Sequence, residues 1–164
     1  MTPEQLQWLK DTAAAATEAQ HVFPEMAACE AALESGYGKS TLSQEAFNLF
    51  GMKQHVHPLY ETIALPTKEY LDGKWAPTTS DWVKYPDLKS CFVDRMATLT
   101  RLAPEPKYES YRRALMAPTP QTYVEWVSKS WSTDPDRAVN ACKIYATLKA
   151  STLPPPDLTD SADL

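Results

Sequence analysis

Apolar residues recur at helical spacing near the start of the chain. They are preceded by Thr2-Pro3-Glu4-Gln5, which has the form of a capping box with proline at the first helical position. This pattern predicts an amphipathic helix that begins at Pro3. The apolar face of this helix carries Leu6, Leu9, Ala13 and Ala16.

The second predicted helix begins at Pro24 and ends at Gly36, because glycine accepts the left-handed conformation that closes a helix. Glu34 therefore lies in its last turn. A short third helix follows Ser40, and its predicted end is Gly51.

The helical period disappears between residues 51 and 85. This segment contains Asp72-Gly73, a dipeptide favoured in tight hairpin turns. We therefore predict a small antiparallel lobe of two or three strands. Pro66 and Pro77 are expected at strand edges or bulges, since proline cannot donate a ladder hydrogen bond.

Helical patterning resumes after Asp87, which is a predicted N-cap. Together the patterns predict a mainly helical α+β fold with one small antiparallel β lobe. The other predicted helices run from Tyr108 to Met116, from Pro120 to Lys129 with Thr119 as cap, and from Pro135 to Lys149 with Asp134 as cap.

The length and composition of the chain are those of one globular domain. With 164 residues, 43% of them hydrophobic, it can bury one sizeable core, which we assign to residues 1–150. Residues 151–164 are rich in proline and aspartate and are predicted to be disordered. The net charge of −5 argues against nucleic acid as a partner, and no apolar stretch approaches the roughly 18 residues that cross a bilayer.

The three cysteines, Cys29, Cys91 and Cys142, fall in three different predicted helices and form no Cys-x-x-Cys pair. We expect reduced thiols rather than a disulfide or a structural zinc site. No other ligand cluster has a recognised spacing. The sequence therefore predicts no metal and no organic cofactor.

Glu34 is the strongest candidate for chemistry. It lies at the negative end of a helix dipole, and its apolar neighbours exclude water, so both effects favour its protonated form. That makes it a plausible general acid, although a solvated glutamate in a turn is the structural alternative. The apolar neighbours are Met26, Ala27, Ala31 and Leu33.

Four ordered motifs resemble one enzyme family. Residues 34–40 (ESGYGKS) and 48–53 (NLFGMK) are followed by 82–85 (WVKY) and 131–135 (WSTDP). The set is similar to the endo-β-N-acetylglucosaminidases of glycoside hydrolase family 73, the flagellar-rod and autolysin type of peptidoglycan hydrolase. The resemblance covers roughly residues 5–148 and implies a lysozyme-like helical domain whose β-hairpin lobe forms one wall of a cleft.

The resemblance implies a hydrolase that cleaves the peptidoglycan glycan strand after N-acetylglucosamine, with Glu34 as general acid. Glycoside hydrolysis usually needs a second carboxylate. Glu69 on the predicted lobe is the candidate for that role, and Asp81 and Glu61 are its rivals. In a substrate-assisted route, the acetamido group of the sugar would replace this second carboxylate as nucleophile.

Aromatic side chains are expected to form sugar platforms, because the apolar face of a pyranose stacks on indole or phenol rings. The motifs name Tyr37, Tyr85 and Trp131, with core packing as the alternative for each. Asn48 could bind the acetamido group or cap a local turn. Asp134 precedes Pro135, so we assign it a helix-capping role.

Two positions depart from the family pattern: Arg137 stands where a tyrosine is common, and Trp82-Val83 stands where phenylalanine-arginine is usual. A muramidase or lytic transglycosylase of the same superfamily is the enzymatic alternative. A non-catalytic wall-binding or assembly module is the other alternative.

The resemblance implies action at the bacterial cell wall, in the periplasm or outside the cell, by a monomer such as a phage or prophage lysin. The N-terminus lacks the basic segment and apolar core of a secretory signal. We therefore expect either another route to the wall or a signal that has been removed.

Overall fold

The computed structural model describes residues 1–53 and 60–154, with the backbone alone at residues 69–71. Within these ranges the chain forms seven α-helices and one two-stranded antiparallel sheet, which confirms the predicted fold class. The helices are α1 (Pro3–Glu18), α2 (Pro24–Ser35), α3 (Thr41–Ala46), α4 (Leu88–Leu102), α5 (Glu109–Leu115), α6 (Pro120–Trp131) and α7 (Arg137–Thr152), and the strands are β1 (Glu61–Leu71) and β2 (Lys74–Lys84).

Side-chain caps fix the helix starts that the sequence predicted. At α1, the Thr2 hydroxyl accepts from the Gln5 N–H at 3.2 Å, and the Gln5 side chain accepts from the Thr2 N–H at 2.9 Å. The Asp87 and Thr119 side chains accept from backbone N–H groups in the first turns of α4 and α6. Each cap satisfies a donor that the helix itself leaves unpaired.

The third helix ends earlier than the glycine signal predicted. It stops at Ala46 rather than at Gly51, because Phe47 adopts the left-handed conformation with φ 49°. Asn48 holds the chain that follows, since its amide donates to the carbonyls of Met52 and Val83 at 2.9 Å. These hydrogen bonds join the base of the β lobe to the helical body.

The last helix begins later and ends later than predicted. Asp134 is not its N-cap: the Asp134 carboxylate accepts from the Asp136 N–H at 2.9 Å in a turn, and α7 begins at Arg137. The helix continues to Thr152, so the first residues of the predicted tail are helical. Residues 155–164 lie outside the described part of the chain.

Helix α2 is the central element of the helical body. Most of its residues are fully buried, and it packs against α1 and α7. Its small side chains allow close approach on both sides, with Ala28 and Ala32 in one core cluster and Ala27 and Ala31 in the other. Among the described residues, no helix is long and apolar enough to cross a bilayer.

Strands β1 and β2 form a hairpin that closes through Asp72 and Gly73, with φ values of 49° and 78°. Positive φ at both positions is the geometry of the tight turn that the sequence predicted. The half-buried face of the hairpin approaches α3. There Leu65 and Trp82 of the hairpin and Thr41 and Leu42 of α3 line a pocket of about 430 Å³.

Gly38 is closely covered by the indole ring of Trp8. A Cβ atom at Gly38, where φ is 75°, would lie 2.5 Å from Trp8 Nε1. At Gly36, where φ is 59°, a Cβ would meet no atom of the described residues within 4 Å. Substitution of either glycine would therefore strain the backbone, but only substitution of Gly38 would also cause a steric clash.

We expect Gly38→Ala to lower the free energy of unfolding by about 2 to 4 kcal/mol, because left-handed strain and overpacking add. Gly36→Ala should lower the free energy of unfolding by about 1 to 2 kcal/mol, from backbone strain alone. Urea denaturation of both variants measures the difference. Equal losses would show that the Trp8 ring moves aside without cost.

Candidate active site

Glu34 lies at the C-terminal end of α2, just before the chain turns at Gly36. The Ser35 hydroxyl donates to the Ala31 carbonyl at 2.6 Å and accepts from the Gly38 N–H at 2.9 Å. These bonds fix the turn that follows Glu34. The Glu34 side chain is 29% exposed, so a ligand in solvent can reach its carboxyl group.

The Glu34 carboxylate pairs with a buried arginine from the start of α7. Arg137 Nε donates to Glu34 Oε1 at 2.7 Å, and Arg137 Nη1 donates to Glu30 Oε1 at 2.8 Å and to Ser128 Oγ at 2.9 Å. The helix end and the apolar neighbours of Glu34, from which its role was predicted, gave no sign of this ion pair.

Glu30, one helical turn before Glu34, is fully buried. It accepts from Arg95 Nη2 at 3.0 Å and from the Tyr123 hydroxyl at 3.1 Å, in addition to Arg137. Burial alone opposes ionisation, but Arg95 and Arg137 outweigh it and lower the pKa of Glu30 to about 2. Arg95, Glu30, Arg137 and Glu34 form an alternating array that we call the charge network.

Arg95 is held between two aromatic rings. Its Cζ atom lies 4.1 Å from the centre of the Phe50 ring and 3.9 Å from the centre of the Trp131 ring. This cation–π stacking helps to offset the cost of burying a guanidinium group. Trp131 is partly buried, and one of its predicted stacking surfaces is already occupied by Arg95.

Tyr37 lies three residues after Glu34 and is half-buried. Its backbone is left-handed, with φ 57°, and its ring meets Trp8 edge to face with centroids 5.9 Å apart. This contact fixes the Tyr37 ring beside the turn. Tyr37 therefore stays a candidate sugar platform.

Asn48 and Tyr85 lie in the core, each only 1% exposed. The Asn48 amide bonds described above are joined by a bond from the Met52 N–H to Asn48 Oδ1 at 2.9 Å. The Tyr85 hydroxyl donates to Asp94. Neither side chain is open to a sugar. These contacts fit the alternative roles given above, capping of a local turn for Asn48 and core packing for Tyr85.

The carboxylates of the hairpin were candidates for the second catalytic group. Glu69 lies in β1, where its backbone pairs with Ala76, and its side chain is outside the described residues. Glu61 and Asp81 are exposed on the same hairpin. Glu69 therefore stays a prediction, and Glu61 and Asp81 serve as matched controls for its test.

His21 is a further buried titratable group near Glu30. Burial, and then the charge of Arg95, lower its pKa from 6.5 to about 4. Between these values the unfolded chain binds a proton that the folded chain excludes. Folding stability should therefore fall as pH drops from about 6.5 to about 4, by up to about 3 kcal/mol.

Urea denaturation across this pH range measures the loss. In His21→Gln, which has no imidazole to protonate, the slope of stability against pH between 6.5 and 4 should become flatter. An unchanged slope would show that His21 does not account for the acid sensitivity. Below pH 4.5, protonation of Glu30 adds a further loss, because its folded pKa is also lowered.

Comparison with known families decides what kind of domain surrounds Glu34. The model of the Glucosaminidase family, described as mannosyl-glycoprotein endo-beta-N-acetylglucosaminidase, matches residues 10–150. The chain belongs to this family. The match includes the turn after Glu34 and the start of α7, so the resemblance read from the sequence motifs is confirmed.

Glucosaminidase-family membership agrees with the curated relatives. An autolysin of Enterococcus faecalis is 29% identical over 121 residues, which cover 72% of this chain and 16% of the relative. A probable N-acetylmuramidase of Lactococcus lactis subsp. cremoris is 29% identical over 132 residues, covering 79% of this chain and 30% of the relative. The chain thus spans less than a third of either relative.

Solved structures share the glucosaminidase-family fold. The catalytic domain of the autolysin Auto from Listeria monocytogenes superposes with a TM-score of 0.75 at 24% identity, covering 91% of this chain and 86% of that domain. A glycoside hydrolase domain of FlgJ from Salmonella typhimurium has a TM-score of 0.68 at 23% identity, covering 89% of this chain and 98% of that domain. At these identities the likeness establishes the fold of the domain.

Proposed function

We propose that this chain is a peptidoglycan hydrolase that cleaves the glycan strand after N-acetylglucosamine, with Glu34 as general acid. The observation that carries the proposal is the partly exposed Glu34 carboxylate held by a buried arginine at the end of α2. Its setting in a glucosaminidase-family domain, and the autolysin and N-acetylmuramidase names of its relatives, support the same substrate.

The geometry suggests how Glu34 would give its proton. The bond from Arg137 uses Oε1, so Oε2 is the oxygen that would carry the proton to the leaving glycosidic oxygen. A protonated carboxyl group can accept from Arg137 at one oxygen and donate at the other. Arg137 would then stabilise the carboxylate that forms as the proton leaves.

A second group must act at the anomeric carbon. We propose Glu69, which lies in β1, for this role, because the resemblance to glycoside hydrolase family 73 implies a carboxylate on the hairpin. A carboxyl separation of about 5 Å from Glu34 would suit a nucleophile, and about 6.5 to 9.5 Å would leave room for water. Tyr37 and Trp131 are the proposed sugar contacts.

We expect Glu69→Gln to lower the turnover of glycan strands by about 100-fold or more, as expected for loss of acid–base or nucleophilic catalysis. Glu61→Gln and Asp81→Asn remove the same charge from the same hairpin and should change turnover by less than about threefold, because their carboxylates lie on exposed positions. Release of reducing ends from soluble glycan strands measures all three. Damage from Asp81→Asn alone would move the role to Asp81, and three silent variants would favour the substrate-assisted route.

The bond that is cut distinguishes this proposal from its alternatives. Purified cell walls would be digested, the products reduced with borohydride, and the reduced end identified by mass spectrometry. A reduced N-acetylglucosamine end supports the proposal. A reduced N-acetylmuramic acid end would make the chain a muramidase, a product lighter by one water would indicate a lytic transglycosylase, and intact walls would favour a binding module.

We also propose that residues 1–150 act as a single catalytic unit at the bacterial cell wall, as a monomer without a cofactor. The helices of this range pack around α2, which supports one cooperative domain. Sedimentation of the purified chain tests the monomer. Undiminished activity after exhaustive chelation is expected, and a loss that one added metal restores would contradict the cofactor assignment.

A further inference from the structure

We propose that Arg137 is a positioning residue for Glu34: its guanidinium group, anchored on Glu30 and Ser128, fixes the orientation of the Glu34 carboxyl group. This inference rests on the proposed role of Glu34 as general acid. It concerns a side chain at a position where the sequence departs from the family motif.

Three hydrogen bonds define the geometry of Arg137. Nη1 is fixed by Glu30 Oε1 at 2.8 Å and Ser128 Oγ at 2.9 Å, and Nε is thereby directed at Glu34 Oε1 at 2.7 Å. The guanidinium group is planar, so rotating Nε away from Glu34 would break the bonds at Nη1. The Glu34 carboxylate is therefore oriented by a guanidinium group that Glu30 and Ser128 fix in place.

The charge balance of the core assigns Arg137 to Glu34. Glu30 already has a buried cation in Arg95, at 3.0 Å, and a hydroxyl donor in Tyr123. A second buried arginine is therefore not needed to neutralise Glu30, and burying one is costly unless it has its own counter-charge. Glu34, the one partly exposed member of the charge network, is that counter-charge.

The charged groups that the described residues bring to Glu34 come from three helices. Arg137 contacts it from α7, Glu30 lies one turn back on α2, and Arg95 of α4 lies beyond Glu30. The attraction of Arg137 is the only direct ion pair among them. Removing the Arg137 side chain should therefore leave the Glu34 carboxyl group without a fixed orientation.

The test compares Arg137→Gln and Arg137→Lys with the parent chain on soluble glycan strands, measuring kcat and KM. In Arg137→Gln we expect kcat to fall by about 10-fold to 100-fold with KM within about twofold, because the carboxyl group is no longer oriented.

Arg137→Lys keeps the positive charge but loses the planar guanidinium group. An ammonium group cannot hold Glu30 and Glu34 in one plane, so kcat should still fall while KM stays near that of the parent. Arg112→Gln is the matched control: Arg112 is half-exposed and paired with Glu109, and its loss should leave kcat and KM unchanged.

A parental kcat in Arg137→Gln would overturn the inference, as would a parental kcat in Arg137→Lys. The second measurement suffices if Arg137→Gln does not fold. Glu34→Gln is assayed in parallel. If that variant is inactive while the Arg137 variants behave as the parent, only the positioning role fails; if Glu34→Gln is fully active, the proposed acid itself fails.

Discussion

Replacing Glu34 with glutamine is expected to lower the rate of glycan hydrolysis by about 100-fold to 10,000-fold, the usual cost of losing a general acid. The amide keeps the shape of the side chain but has no proton of suitable acidity to deliver. Arg137 keeps its bonds to Glu30 and Ser128 in this variant, so the chain should still fold, at a lower stability because Arg137 loses its counter-charge. Turbidity of isolated cell walls and circular dichroism measure the two effects.

Glu25→Gln is the matched control for this variant. Glu25 lies on the same helix and also forms an ion pair, with Lys149 Nζ at 2.9 Å, but that pair is exposed. We expect parental activity from Glu25→Gln. A Glu34→Gln chain that cleared walls at the parental rate would remove Glu34 from the mechanism and leave the binding-module alternative or another acid to be tested.

The largest effect on stability is expected at Glu30. Glu30→Gln keeps the volume of the side chain and removes the negative charge between two buried arginines, so Arg95 is left as an uncompensated buried cation. Breaking a buried ion pair in this way costs about 3 to 5 kcal/mol. A lower urea midpoint with an unchanged m-value would report that loss.

Glu109→Gln supplies the comparison at the surface. Glu109 also accepts from two arginines, Arg112 at 3.2 Å and Arg113 at 2.9 Å, but it is 52% exposed. Water replaces the lost partner there, so the expected loss is below about 1 kcal/mol. Similar losses in the two variants would mean that burial adds nothing to the Glu30 pairing.

Much of the fold could be predicted because its signals are local. Thr2, Asp87 and Thr119 each cap a helix within three residues of their own position, and Asp72-Gly73 closes its turn by itself. The wrong end of α3 arose where a tertiary contact overrides the local signal. Phe47 has no preference for a left-handed backbone, and it ends α3 where the base of the hairpin joins the helical body.

The candidate site could be predicted only in part, for the same reason. The position of Glu34 at a helix end follows from Gly36, but its partner Arg137 is 103 residues away in the chain. One signal was present in the sequence. Glu30 interrupts the run of apolar residues from 26 to 33, and a buried carboxylate requires a nearby cation, so an arginine or lysine from another element was to be expected.

The charge network also limits which substitutions this sequence can accumulate one at a time. Any one substitution that neutralises Glu30 or Arg95 leaves an opposite charge stranded in the core, even though a fully apolar set of similar volume could be as stable. The apolar alternative is reached only when several residues change together. Evolution by single steps, and protein engineering by single substitutions, therefore meet a barrier at these positions that the stability of the end states does not reveal.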